Sequence, residues 1–155
     1  MPHADHDHHM KSGDFTELQE KVRDSAKLVF QGGDTKNALA AIPEGFACLD
    51  LANWTGITDY EPDEYTITVR AGTPVATVAD VLIENGQCLP FDPLLVEAGA
   101  TIGGSVASGL NGPGRYRYGG VRDFLLGVKY LDWKGDLVSG GGRVVKNAAG
   151  FDLPK

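Results

Sequence analysis

Gly99-Ala100-Thr101-Ile102-Gly103-Gly104-Ser105-Val106-Ala107-Ser108-Gly109 sets the reading of the whole chain. Only Ile102 and Val106 carry sizeable apolar side chains here. Residues 101–108 read as a short helix of small residues whose backbone something approaches closely. Gly103 and Gly104 remove side chains where another group must come close to the main chain, and Thr101, Ser105 and Ser108 supply hydroxyls. Two meanings stand side by side: a backbone surface on which a ligand lies, or a seam of small residues packed against another element.

Glycine is concentrated around this run. The chain has 21 glycines in 155 residues, about twice the roughly 7% that is average. Nine of them fall between Gly99 and Gly127. The same stretch holds Arg115, Arg117 and Arg122 against Asp123 alone, a local charge of +2, so the rest of a chain of net charge −7 sums to −9. A cationic, glycine-rich segment in an acidic protein suits an anion held by backbone N–H groups.

Downstream lies Arg115-Tyr116-Arg117-Tyr118-Gly119-Gly120-Val121-Arg122-Asp123-Phe124-Leu125-Leu126-Gly127. Its arginines could hold a phosphate or a reduced, anionic ring, and its tyrosines could stack on one; a solvated Arg/Tyr loop is the plain alternative. Upstream lies Gln31-Gly32-Gly33-Asp34-Thr35-Lys36, where consecutive glycines after a short apolar run could turn N–H groups toward a diphosphate. The GxxxxGK[ST] spacing of a Walker loop is absent, and a strand-to-helix turn accounts for these residues equally.

Composition excludes several classes. The acidic balance argues against a phosphate-backbone binder. No apolar run approaches the roughly 20 residues a membrane span needs, and the N-terminus carries His3, Asp5, His6, Asp7, His8 and His9 in place of a secretory leader. A cytoplasmic protein is expected. Cys48 and Cys88 lack CxxC spacing and read as buried, reduced thiols. The histidine-rich tail, residues 1–13, has no periodicity and reads as disordered, with no physiological metal assigned.

The remaining pattern predicts a helix over 15–26 capped by Asp14, a strand over 27–31, a helical piece over 37–41 and a strand over 47–51. A hairpin over 57–61 and 65–70 follows, then a helix capped by Thr73 with Pro74 as its first residue and Val75, Val78, Ala79 and Leu82 on one face, ending at Gly86. A short strand over 88–90, a strand over 124–133 and a returning strand over 137–139 complete the expectation.

Taken in order, the GG-x-T-K turn, R-A-G-T-P-V, G-A-T-I-G-G-S-V-A-S-G, V-R-D-F-L-L-G and V-K-N-A-A-G-F-D-L resemble the vanillyl-alcohol-oxidase, or PCMH-type, FAD-binding domain, over roughly residues 28–155. Within that family the likeness is greatest to FAD-binding subunits of glycolate oxidase complexes. The resemblance implies an α+β fold of two small α/β subdomains with FAD between them, residues 14–155 forming the first and part of the second, with a further segment and a cap domain lacking. It implies that Gln31, Gly32, Gly33, Asp34 and Thr35 wrap the pyrophosphate. Thr101, Gly103, Gly104, Ser105, Ser108 and Gly109 would line the pyrophosphate and ring, and Gly119, Val121, Arg122 and Asp123 would stand beside the flavin. It implies oxidation of a 2-hydroxy acid such as glycolate or D-lactate, in company with a second flavoprotein subunit and an iron–sulfur subunit. Family members that attach flavin covalently do so through histidine, and all four histidines here precede every matched motif, so FAD is expected to bind noncovalently. Asp34 departs from the pattern, since many relatives have a small residue there and a carboxylate repels a diphosphate unless it turns outward or pairs with Lys36. No catalytic base is named. A noncatalytic remnant of the fold, serving as an interaction module, is the alternative.

Overall fold

The computed structural model describes residues 12–39 and 42–142. Residues 1–11 of the histidine-rich tail and the 145–153 motif lie outside the described residues, while Ser12 and Gly13, expected in the disordered tail, belong to the first helix.

Helix α1 (Ser12–Asp24) begins before the expected cap, so Asp14 stands inside the helix, and Ala26 falls beyond its end. It buries Val22 and sets Phe15 at 6.2 Å, centroid to centroid, from Trp54. Strand β1 (Leu28–Gln31) pairs in parallel with β2 (Ala47–Asp50), Leu28 opposite Ala47 and Gln31 opposite Asp50. A parallel pair needs a crossover, supplied here by the glycine turn and a 3-10 piece, Asn37–Leu39. Strands β3 (Ile57–Glu61) and β4 (Thr66–Val69) form the expected hairpin, antiparallel around a 3-10 turn at Pro62–Glu64.

Helix α2 (Val75–Glu84) buries Val75, Val78 and Leu82, as its spacing foretells. Its cap differs from expectation. Pro74 is the N-cap residue, and the Thr73 hydroxyl serves Gly56 instead, accepting from its N–H at 2.9 Å and lying 3.2 Å from its carbonyl. Thr73 is drawn away because it lies in the junction that binds three segments together. There the N–H of Val75 donates to Ala100, that of Ile102 to Thr73 and that of Gly103 to Ala71. The core is centred on this junction, with Thr73, Val75, Val78, Ala100, Thr101 and Ser105 all buried.

Residues 88–90 form no strand; the chain there runs without a ladder before an isolated bridge between Pro93 and Asn111. Helix α3 (Ile102–Ser108) follows, one residue shorter than expected because Thr101 stands outside it as the N-cap. Two one-turn helices come next, α4 (Arg115–Tyr118) and α5 (Val121–Phe124). The antiparallel hairpin of β5 (Gly127–Leu131) and β6 (Leu137–Gly141) ends the described chain. Strand β5 is shorter than expected at both ends, because Phe124 belongs to α5 and Asp132 closes the turn, its carboxylate accepting from the N–H groups of Lys134 and Asp136. That turn docks on α1, where Gln19 donates to the Gly135 carbonyl at 2.7 Å and Arg23 to the Lys134 carbonyl at 3.0 Å. The two cysteines are free as expected, but both are exposed, because each lies at a margin of the small core.

Candidate cofactor site

The glycine loop after β1 is pressed onto the segment before α3. A Cβ on Gly33 would overlap the carbonyl oxygen of Gly99, and one on Gly32 would stand 2.6 Å from the Thr101 hydroxyl. Only glycine permits both approaches. Once seated, the loop leaves a row of donors: among the described residues, the N–H groups of Gly32, Gly33, Asp34 and Thr35 have no acceptor. A run of unpaired N–H groups in a sharp turn forms an anion-binding concavity. Gln31, at the end of β1, accepts from the Cys48 thiol at 2.9 Å.

Asp34 has φ of +51°, a left-handed conformation that favours glycine and tolerates aspartate, which explains the small residue expected there. Its side chain is exposed and makes no ion pair with Lys36.

Helix α3 works differently. Its first N–H groups are already used: Ile102 donates to Thr73, Gly103 to Ala71, Gly104 to the Thr101 hydroxyl at 3.2 Å and Ser105 to the Thr101 carbonyl. Gly103 lacks a side chain because a Cβ would come within 2.7 Å of the Ala71 Cβ. At the other end, the Ser108 hydroxyl lies 3.3 Å from the Ser105 carbonyl and accepts from Leu110, while Gly109 forms the left-handed C-cap. The small residues of α3 thus serve close packing first. Ser105 is the exception. It is buried, and its hydroxyl has no partner.

The third segment meets the C-terminal half of α3. The carboxylate of Asp123 accepts from Gly120 at 2.8 Å, with Gly119 making room for it, and Val121 is buried beneath. Asn111, absent from the sequence-based site, ties the two parts: its oxygen accepts from Val121 at 3.1 Å and its amide donates to the Gly109 carbonyl at 2.9 Å. Asp92 clamps the preceding loop through the N–H groups of Gly112 and Gly114. Both were missed because their partners are backbone groups, Gly114 for Asp92 and Val121 for Asn111 lying well away in sequence, although an Asn beside Gly is an ordinary turn signal. A concave space of about 660 Å³ opens between α3 and α5, lined by Val106, Arg115, Val121, Arg122 and Leu125 among others. Tyr116 is 97% exposed, and Tyr118 contacts the Arg117 guanidinium at 5.3 Å.

Thus the loop of unpaired N–H groups packs before the N-terminus of the seven-residue helix α3, and the arginine-lined space opens beside its C-terminal half. The loop donors and the unpartnered Ser105 hydroxyl fit a phosphate-bearing cofactor. This layout defines a mixed α/β domain with an open row of backbone donors set against its buried core.

A family model described as FAD binding domain matches residues 16–141, and the chain belongs to that family. Glycolate oxidase subunit GlcE of Escherichia coli (strain K12) is 40% identical over 139 residues, 90% of this chain and 39% of that protein. D-2-hydroxyglutarate dehydrogenase of Xanthomonas citri pv. viticola is 30% identical over 146 residues, 91% of this chain and 31% of that protein. The chain therefore spans less than half the length of these curated relatives. Among solved structures, an alkyldihydroxyacetonephosphate synthase matches with a TM-score of 0.70 at 17% identity, covering 90% of this chain and 25% of its own. A Phl p 4 variant, a glucose oxidase, matches with a TM-score of 0.66 at 20% identity, covering 81% and 27%. These two establish the shared fold. Among the described residues, no helix is long and apolar enough to cross a membrane.

Proposed function

We propose that residues 14–155 hold FAD noncovalently as part of a flavin-dependent oxidoreductase acting on a 2-hydroxy acid such as glycolate or D-lactate. The observation that carries this reading is the unpaired N–H row from Gly32 to Thr35, pinned by the contacts of Gly32 and Gly33 with Thr101 and Gly99. When bound, FAD supplies a two-electron acceptor, and the chain supplies position and electrostatics. Gly32, Gly33, Asp34 and Thr35 would hold the pyrophosphate by their N–H groups, with Gln31 at the loop's start. Ser105 would offer its free hydroxyl, and Thr101, Gly103, Gly104, Ser108 and Gly109 would shape the floor. Gly119, Val121 and Asp123 would seat Arg122 beside the ring. The relatives named as glycolate oxidase subunits support a place in a multi-subunit enzyme; a second flavoprotein subunit and an iron–sulfur subunit as partners, and a cytoplasmic location, complete the proposal.

The test is an absorbance spectrum after incubation with FAD and desalting, followed by acid precipitation. Retained, acid-releasable flavin near one per chain is expected. The internal pairing of the first N–H groups of α3 favours a second reading, a remnant that keeps its glycines for packing alone. Flavin-free protein after desalting decides for that remnant.

A further inference from the structure

We propose that Asn85–Gly86, at the C-terminal end of α2, is a site of spontaneous deamidation, and that the fold shields a second Asn-Gly pair, Asn111–Gly112, from the same reaction. Two of the chain's five asparagines precede glycine. In this chemistry the backbone nitrogen of the glycine attacks the side-chain carbonyl carbon of the asparagine. A C–N bond forms, the backbone N–H proton passes to solvent, and the side-chain amide takes up a proton and leaves as ammonia, which closes a cyclic imide. Water then opens the ring at either carbonyl to give aspartate or isoaspartate, with no change of oxidation state. Asparagine is among the thermolabile residues, and glycine, without a Cβ, leaves its nitrogen uncrowded.

Attack requires the side chain and the next backbone nitrogen to be released together, and the two pairs differ in how firmly they are held. Asn85 is the C-cap of α2 and is exposed, its amide making one long contact, 3.3 Å, with the Val81 carbonyl. Gly86 has φ of +67°, and a Cβ built on it would meet open space. Its N–H donates to Ile83 and that of Gln87 to Leu82, the pair of bonds that closes a helix around a left-handed glycine. These bonds sit at an exposed helix end, where local opening costs least. Asn111 is gripped at both side-chain heavy atoms, its oxygen accepting from Val121 at 3.1 Å and its amide donating to Gly109 at 2.9 Å. Gly112 is buried, its N–H donates to the Asp92 carbonyl at 2.8 Å, and the Asp92 carboxylate fills the space where a Cβ would stand.

Conversion of Asn85 acts on α2. A carboxylate there meets the negative end of the helix dipole, and isoaspartate adds a main-chain carbon just ahead of the two closing bonds. Gln87 fastens this helix end to the β3–β4 hairpin, accepting from the Tyr60 hydroxyl and donating to the Pro62 carbonyl, each at 2.8 Å. The reaction therefore loosens that fastening. None of these residues is assigned to the cofactor.

The full chain is incubated at mildly alkaline pH, with and without urea, and sampled over time by mass spectrometry with the change localised from fragment ions. In the folded chain Asn85 should show the mass gain of an amide-to-acid exchange, as two isomers, at least about tenfold faster than Asn111, which must first give up more hydrogen bonds. In urea the two rates should converge. The urea midpoint should fall as Asn85 converts. Asn85→Asp should show part of that fall at once, whereas Asn85→Gln, whose longer side chain does not close the same ring, should hold its midpoint throughout the incubation. The proposal is overturned if Asn85 remains an amide in the folded chain, if Asn111 keeps pace with it there, or if the Asn85→Gln chain loses stability on incubation as the wild type does.

Discussion

The carbonyl oxygen of Gly99 occupies the place where a side chain on Gly33 would begin. This contact joins the loop after the first strand to the segment that starts α3, and it ties the donor row to the core junction at Thr73 and Ala100.

Gly33→Ala therefore forces the loop off its seat. Overpacking of this kind costs about 1–3 kcal/mol, and the donors should lose their arrangement. A lowered urea midpoint together with loss of retained flavin is expected. An unchanged midpoint and unchanged flavin retention would show that the loop finds another seat.

Asp34→Gly and Asp34→Asn separate conformation from charge. Both residues tolerate φ near +51°, and both remove the carboxylate next to the four donors. FAD binding should tighten several-fold in each by equilibrium titration, with stability altered by less than about 1 kcal/mol. Equal affinity in all three proteins would mean that the exposed carboxylate stands clear of the diphosphate.

Thr101 caps α3 through its hydroxyl, 3.2 Å from the Gly104 nitrogen, while almost wholly buried. Thr101→Ala should cost about 1–2 kcal/mol by chemical denaturation, and Thr101→Ser should recover most of it. A serine variant as unstable as the alanine one would place the loss in the methyl group.

Asn111 satisfies one N–H and one carbonyl on opposite sides of the arginine-lined space. Asn111→Ala should lower stability by about 1–3 kcal/mol, since both groups lose their partner at once. Hydrogen exchange at the Val121 amide should quicken with it. Exchange unchanged from wild type would assign the support of α5 to Asp123 alone.

Much of the fold was legible because its signals are local. Alternation marked the β3–β4 hairpin, and the helical spacing in α2 named Val75, Val78 and Leu82. Thr73 failed as a cap because its hydroxyl is taken by Gly56, a partner that spacing cannot reveal. The expected strand at 88–90 failed because apolar residues form a strand only where an edge is free to pair, and none reaches them.

The site divides along the same line. Sequence by itself determined where glycine, hydroxyl and arginine recur, and hence the FAD-binding family, since those residue types answer to backbone geometry and charge. Only the tertiary structure decided which of them remain free. Hydrogen bonding is a pairing problem: α3 uses its first N–H groups on Ala71, Thr73 and Thr101, Asp123 commits to Gly120, and the loop from Gly32 to Thr35 keeps its donors open. Each assignment depends on which backbone groups the fold brings within about 3 Å, and that is settled by packing between segments far apart in the chain.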